Sequence, residues 1–175
     1  FNEKLALTIT GLVMAATGRT SRLIVLDLDN TLWGGVLGED GISGIQLGGD
    51  YPGNAYSGFQ KCLQSLASRG IALAIASKND EDLAFEVINQ HPEMDLSEDD
   101  IVVHRINWLP KWQNVVEMVD ELNLSLRNVM FIDDNPAERE HMRQQLPMLR
   151  VLESPDDPAL FTSTLLDDPY IETRG

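Results

Sequence analysis

Short apolar segments alternate along the chain with longer segments in which apolar residues recur every three or four positions. The short segments at residues 23–26, 71–76, 101–104 and 129–132 have the length and the nearly continuous hydrophobicity of buried parallel strands. Residues 149–152 indicate a fifth strand of the same kind. The pattern therefore predicts a sheet that is buried on both faces.

The longer segments have the spacing of amphipathic helices. They predict helices at residues 54–69, from about 80 to 90, at 111–122 and at 136–145. Because strands and helices alternate, we expect an α/β fold with a doubly wound, Rossmann-like parallel sheet.

The same pattern divides the chain into three parts. Residues 1–21 predict a leading helix, residues 22–155 the α/β domain, and residues 156–175 a C-terminal tail with a short helix at most. The intervals between the predicted strands are filled by the predicted elements, so we expect no large cap domain. The turn-rich residues 33–47 predict a short hairpin, which would be the only cover over the end of the first strand.

Charged and polar residues follow the predicted strands directly, where ligands bind in doubly wound sheets. They are Asp27 and Asp29, Ser77, Lys111, and Asp133 and Asp134. Asp27 and Asp29 are two positions apart, so an extended backbone aims both side chains the same way, and their charges repel unless a cation lies between them. Mg²⁺ suits carboxylate ligands and leaves one carboxylate free to attack phosphorus.

A calcium loop of the EF-hand kind is excluded, because Leu32 and Gly38 occupy positions that it reserves for Gly and Glu.

These residue types supply what phosphoryl transfer needs: a nucleophile, a cation and a proton donor. Asp27 suits the nucleophile, and Asp29 the group that protonates the leaving oxygen and then activates water. Asp134 suits a metal ligand, whereas Ser77 and Lys111 suit contacts to the phosphate oxygens. Taken singly, Ser77 also fits a helix cap, Lys111 a solvated helix start, and the acidic pair a complement to a helix dipole.

In this order and context, the residues resemble the four motifs of the haloacid dehalogenase superfamily. Asp27-x-Asp29-x-Thr31 matches the first motif, and the other three are matched by Ser77, Lys111 and Asp133-Asp134. The resemblance implies that Asp27 is the nucleophile, that Asp29 is the acid and base, and that Asp27, the carbonyl of Asp29 and Asp134 hold Mg²⁺. It leaves Asp133 as an alternative ligand or as a group just behind the ligands.

A closer resemblance, over residues 22–155, is to the FkbH-like family. The matching stretches are LDLDNTLWGGVLGEDG, FQKCLQSLASRGI, SKND, INWLPKWQN and FIDDNPAERE. This resemblance implies a domain of a larger polyketide synthase polypeptide. Such a domain takes a three-carbon unit from D-1,3-bisphosphoglycerate, removes phosphate and delivers a glyceryl thioester to the phosphopantetheine arm of an acyl carrier protein.

One position departs from that family, which usually has Cys-Ser-Lys-Asn around the second motif. Ala76 replaces the cysteine that would carry the acyl group, and Cys62 lies on the apolar face of a predicted helix. We therefore expect transfer directly to the carrier's thiol, or a different acyl group such as lactyl. We expect contacts to the substrate from four residues around the site: Trp33, Lys78, Asn79 and Arg105. The candidates for a basic patch that docks the carrier protein are Lys78, Arg105, Lys111, Arg139 and Arg143.

Two other functions fit the sequence: a phosphatase of small phosphoesters without acyl transfer, and a docking domain that has lost its chemistry. The formal net charge of −15 argues against nucleic-acid binding, because phosphate backbones select basic surfaces. No apolar run is long enough to span a bilayer, and the first residues lack the basic region of an export signal. The single cysteine agrees with a reducing cytoplasm, where we expect the protein to act.

Overall fold

The computed structural model of the protein describes residues 20–171, so the predicted leading helix lies outside the described residues. The described chain contains a single five-stranded parallel sheet in the order β3-β2-β1-β4-β5. Its strands are β1 (Leu23–Leu26), β2 (Ala72–Ser77), β3 (Ile101–Ile106), β4 (Val129–Ile132) and β5 (Arg150–Val151). The predicted α/β fold with a doubly wound parallel sheet is confirmed.

Six α-helices accompany the sheet in the described part of the chain. They are α1 (Leu37–Gly44), α2 (Gly53–Ser68), α3 (Glu81–Gln90), α4 (Lys111–Glu121), α5 (Pro136–Gln145) and α6 (Phe161–Leu166). Asp80 caps α3 by accepting a hydrogen bond from the backbone N–H of Leu83, and Pro136 occupies the first turn of α5. The predicted first and last residues of α2, α3, α4 and α5 agree with the structure to within two positions.

Successive residues of β1 point to opposite faces of the sheet, and both faces are covered. Ile24 and Leu26 join a core that includes apolar residues of α1, α2, α3 and α6, whereas Leu23 and Val25 join a second core beneath α4 and α5. All four side chains are fully buried. This burial explains why β1 is a continuous apolar run rather than an alternating one.

Residues 33–47 do not form the predicted hairpin, and that prediction is wrong. They contain α1, kinked at Gly41 (φ 71°), and one antiparallel bridge between Gly34 and Gln46 closes the base of the segment. The carbonyl of Val36 accepts hydrogen bonds from the N–H groups of Glu39 and Asp40, so the acidic pair lies in the first turn of a helix, where the dipole favours negative charge.

The C-terminal segment packs on the main core. The ring of Phe161 makes edge contacts with Tyr56 and Phe59, with centroid distances of 5.9 and 5.5 Å, and Leu165 and Ile171 are buried. Residues 156–171 therefore contribute to the core of the α/β domain.

The predicted absence of a large cap domain agrees with the described residues. Between Asp27 and Ser77 the chain forms α1, α2 and β2, and between Ser77 and Lys111 it forms α3, one short 3-10 helix and β3. None of the helices within residues 20–171 has the length and apolar character needed to cross a membrane.

Candidate active site

The strand order brings three strand ends together at one edge of the sheet. β1 lies between β2 and β4, with Leu26 in register with Ile75 and Ile132. The backbone N–H of Asp27 continues this pairing by donating to the carbonyl of Ile132 at 3.0 Å. Residues that follow β1 and β4 are therefore neighbours in space although about one hundred positions separate them in sequence.

Three carboxylates meet at this edge. Asp27, Asp133 and Asp134 each offer an oxygen, and these three oxygens lie within 4.8 Å of one another. Asp133 is fully buried and Asp27 is 7% exposed. Burial raises the pKa of Asp133 and of Asp134, and the charge of Asp27 raises both further. A cation beside the cluster would therefore stabilise the charged form of these carboxylates.

Lys111 supplies part of that charge from the first position of α4. Its Nζ lies 3.2 Å from Oδ1 of Asp27 and 2.5 Å from Oδ2 of Asp133, and its side chain is 6% exposed. Burial lowers the pKa of Lys111, but the charges of Asp27 and Asp133 raise it by more, so the net shift is upward. Lys111 is thus a charged partner of the acidic cluster rather than a solvated lysine at a helix start.

The remaining hydrogen bonds distinguish Asp133 from Asp134. Oδ2 of Asp133 is held by Lys111, and its Oδ1 accepts a hydrogen bond from the backbone N–H of Asn135 at 2.9 Å. Both oxygens of Asp133 are therefore engaged by the protein. Asp134, which is only partly buried, has the better placed carboxylate for binding a cation beside Asp27.

Arg139, a candidate for the docking patch, also contacts the backbone of Asp133 and Asp134. Its Nη1 donates to the carbonyl of Asp133 at 3.1 Å and to the carbonyl of Asp134 at 2.9 Å. Arg139 lies in the first turn of α5, where a positive charge is disfavoured by the helix dipole. Its position in the sequence therefore indicates that a specific acceptor lies nearby.

Asp29 is held by three donors. Its Oδ1 accepts from the indole Nε1–H of Trp33 at 2.9 Å and from the backbone N–H of Leu37 at 3.0 Å, and its Oδ2 accepts from Nδ2 of Asn79 at 3.0 Å. Burial raises the pKa of Asp29, and the three hydrogen bonds oppose that rise.

Two residues that we expected to contact the substrate have another place in the structure. Trp33 is fully buried and Asn79 is 5% exposed. Both direct their donors at Asp29 instead of the open edge, which corrects the prediction. The segment around Trp33 bends inward to reach α1, so the indole packs in the core instead of covering the site.

Arg105 has two acidic partners in the structure. Its guanidinium pairs with Glu117 at 3.3 Å and also with Glu121, both on α4. These ion pairs join β3 to α4, and a contact of Arg105 to the substrate stays a prediction. Lys78 lies at the correct edge, where its Nζ is 3.0 Å from Glu138, and its contact to a substrate stays a prediction.

The predicted basic patch is neutralised by acids. The guanidinium of Arg143 lies 3.6 Å from Glu140 and also pairs with Glu153, and Nε of Arg139 lies 3.9 Å from the same Glu153. With the pairs of Lys78, Arg105 and Lys111, each of the five cations proposed for docking has an acidic partner. Each of these cations is therefore part of an ion pair, and their role in docking a carrier protein stays a prediction.

The second motif places a hydroxyl, and no thiol, at this edge of the sheet. Ser77 ends β2 at the catalytic edge and is 2% exposed, whereas Ala76 is fully buried in the core beneath α4. Cys62 is partly buried on α2 against the opposite core, and burial raises the pKa of its thiol. A partly buried thiol with a raised pKa is a poor nucleophile, which agrees with the prediction that Cys62 does not replace the missing cysteine.

The donor set fits a hard divalent cation. Carboxylate oxygens are the protein ligands that Mg²⁺ prefers, and the carboxylates of Asp27 and Asp134 lie close enough together to share one cation.

Solved structures with a similar fold include phosphatases bound to metal ions. The N-terminal part of a Bacteroides fragilis protein, containing a phosphatase domain complexed with Mg, is 39% identical over 94% of this chain and 44% of that chain, with a TM-score of 0.90. The 3-deoxy-D-manno-octulosonate 8-phosphate phosphatase of Moraxella catarrhalis, in complex with magnesium, phosphate and KDO, is 15% identical over 95% of this chain and 92% of that chain (TM-score 0.53). A cobalt-bound phosphatase for deoxy-D-mannose-octulosonate 8-phosphate from Haemophilus influenzae is 14% identical over 85% of this chain and 88% of that chain (TM-score 0.51).

The sheet order, the strand-end carboxylates and these neighbours define the haloacid dehalogenase-like α/β fold. Within this class the chain belongs to the family of NLI interacting factor-like phosphatases, whose model matches residues 22–167. The chain spans less than half the length of the Bacteroides fragilis protein. No curated protein sequence matches it.

Proposed function

We propose that the protein is a Mg²⁺-dependent phosphatase of small phosphomonoesters that uses Asp27 as its nucleophile. The observation that carries this proposal is the position of Asp27, which lies at a strand end 3.2 Å from the ammonium of Lys111 and beside Asp133 and Asp134. Membership in a phosphatase family and the Mg in the Bacteroides fragilis relative support it.

In this proposal Asp27, Asp134 and the carbonyl of Asp29 hold Mg²⁺. When bound, the ion neutralises negative charge on the transferring phosphoryl group. Lys111 offsets the charge of Asp27 and Asp133 and offers its ammonium to a phosphate oxygen. Ser77, at the end of β2, offers a hydroxyl at the same edge.

The reaction has two steps on the protein. An oxygen of Asp27 forms a bond to phosphorus as the bond from phosphorus to the leaving oxygen breaks, and Asp29 gives its proton to that oxygen. Asp29 then takes a proton from water as the water oxygen attacks phosphorus, and the bond from phosphorus to Asp27 breaks. Orthophosphate leaves, and both aspartates return to their initial states.

Loading of a three-carbon acyl unit onto an acyl carrier protein is the second candidate. The resemblance to the FkbH-like family and the absence of a cap domain within residues 20–171 favour it, because a long phosphopantetheine arm needs an uncovered site. The paired cations and the buried Ala76 do not contribute to it. The phosphatase reaction needs only the site described above, so it is the function that we propose first.

One experiment separates these functions. The protein with Mg²⁺ is incubated with a panel of phosphomonoesters that includes p-nitrophenyl phosphate and several alkyl phosphates, and phosphate release is measured. A parallel sample contains D-1,3-bisphosphoglycerate and an acyl carrier protein, whose intact mass is recorded. Mg²⁺-dependent phosphate release without a carrier supports the phosphatase, whereas a glyceryl or lactyl mass increment on the carrier supports acyl loading. Inactivity of the wild-type protein toward the whole panel contradicts the proposed function.

A further inference from the structure

The carboxylate of Asp29 has more partners than its neighbours at the catalytic edge. A carboxylate has about four lone-pair positions, two on each oxygen. The indole of Trp33 and the backbone N–H of Leu37 occupy both positions on Oδ1, at 2.9 and 3.0 Å. Asn79 occupies one position on Oδ2, at 3.0 Å. Among the described residues, this leaves a single position of Asp29 without a donor, and it lies on Oδ2.

The donors themselves are fixed in orientation. The side-chain oxygen of Asn79 accepts a hydrogen bond from the backbone N–H of Asp80 at 3.1 Å, which directs its Nδ2 toward Asp29. The indole of Trp33 is fully buried within the core, and an indole nitrogen can only donate. Leu37 begins α1, so its N–H is one of those that the helix leaves without an internal acceptor. These constraints prevent the carboxylate from rotating freely.

We propose that Trp33 and Asn79 are positioning residues for Asp29, and that they leave Oδ2 of Asp29 as the atom that gives and takes the proton. This inference rests on the proposed phosphatase function. An oxygen that is already saturated by two donors cannot also hold a transferable proton, and the loss of either side-chain donor lets the carboxylate rotate away from the leaving oxygen. Neither residue touches the substrate in this proposal.

The consequence depends on the leaving group. An alkoxide is a poor leaving group and needs a proton in the transition state, whereas p-nitrophenolate leaves as a stable anion. A residue that only positions the proton donor therefore matters for alkyl phosphates and not for p-nitrophenyl phosphate. A residue that only maintains the fold affects both substrates equally.

The test compares kcat/KM of Trp33→Phe and Asn79→Ala with the wild-type protein on p-nitrophenyl phosphate and on the alkyl phosphate that the wild type hydrolyses fastest. We expect a loss of about 10-fold or more with the alkyl phosphate and of less than about 3-fold with p-nitrophenyl phosphate. The control is Phe59→Leu, which alters another fully buried aromatic residue that packs on Phe161 and donates no hydrogen bond to Asp29, and it should leave the ratio of the two rates unchanged.

Equal losses on both substrates, or no loss, overturn the inference while leaving the phosphatase function intact. Hydrolysis of p-nitrophenyl phosphate alone by the wild type also overturns it. A second measurement needs no activity: the Nε1–H resonance of Trp33, assigned by its loss in Trp33→Phe, should move upfield in Asp29→Ala because its charged acceptor is gone. An unmoved resonance contradicts the contact on which the inference depends.

Discussion

The ammonium of Lys111 lies 2.5 Å from Oδ2 of Asp133 in a part of the protein from which water is nearly excluded. Asp133 comes from the end of β4 and Lys111 from the first turn of α4, so this ion pair joins two elements that face the same edge of the sheet. The pair therefore holds a cation beside the acidic cluster.

Replacement of Lys111 by methionine should destabilise the metal-free protein. It leaves Asp27 and Asp133 buried without their cation, and breaking a buried ion pair from one side costs about 3 kcal/mol or more of unfolding free energy. Urea unfolding in the presence of a chelator measures this. Lys61→Met, at an exposed position of α2, is the control and should change the unfolding free energy by less than about 0.5 kcal/mol. A change of that small size in Lys111→Met would show that the pair is not formed.

The stabilisation of the protein by Mg²⁺ should depend on Asp134. In the wild-type protein, an excess of Mg²⁺ of about 100 times the dissociation constant should add about 2.7 kcal/mol to the unfolding free energy, and chelation should remove it. Asp134→Asn should lose this increment and should be more stable than the wild type without metal, because it removes one charge from the cluster. Thermal unfolding with and without Mg²⁺ measures both effects, and a full increment in the variant would contradict the assignment of Asp134 as a ligand.

Arg139 should influence metal affinity although it lies behind the ligands. Its Nη1 fixes the carbonyls of Asp133 and Asp134, and loss of such outer contacts typically weakens metal binding by about 10- to 100-fold. Calorimetric titration of Arg139→Gln with Mg²⁺ measures this. Arg143→Gln removes a more exposed guanidinium from the same helix and should bind Mg²⁺ as the wild type does. Equal Mg²⁺ affinity in the two variants would show that Arg139 does not support metal binding.

Two glycines of α2 should respond in opposite directions to substitution by alanine. A Cβ at Gly53 would lie 2.3 Å from the carbonyl oxygen of Gly48, whereas a Cβ at Gly58 would meet nothing within 4 Å. Gly53→Ala should therefore destabilise the protein by about 1–3 kcal/mol, because backbone must move. Gly58→Ala should stabilise it by about 0.5–1 kcal/mol, because alanine restricts the unfolded chain and favours the helix. Urea unfolding of both variants compares them, and a common sign would contradict the local packing of α2.

The sequence predicted those features that depend on local pattern. A run of four apolar residues followed by Asp27 determines a buried strand with an acid at its end, and the parallel topology then brings Asp27 to Asp133 and Asp134. The residues around Asp29 could not be predicted in this way. Whether Trp33 packs inward or covers the site depends on how its segment folds onto α1, which is a matter of tertiary packing.

The acidic partners of Arg105 could be anticipated in part from the sequence of α4. Glu117 and Glu121 are four positions apart and so lie on one face of α4, which makes them a natural partner for a cation on the neighbouring strand. Only the structure shows that β3 brings Arg105 beside that face. The hairpin prediction failed for a different reason, since acidic residues such as Glu39 and Asp40 suit both a turn and the first turn of a short helix.

Direct detection of the phosphorylated enzyme tests the role of Asp27. The protein is mixed with Mg²⁺ and an excess of the phosphomonoester that it hydrolyses fastest, quenched in acid during turnover, and digested for mass analysis. We predict the mass of one added phosphoryl group on the peptide that contains Asp27, and neither adduct nor phosphate release in Asp27→Asn. A phosphoryl group on another residue, or undiminished phosphate release by Asp27→Asn, would contradict Asp27 as the nucleophile.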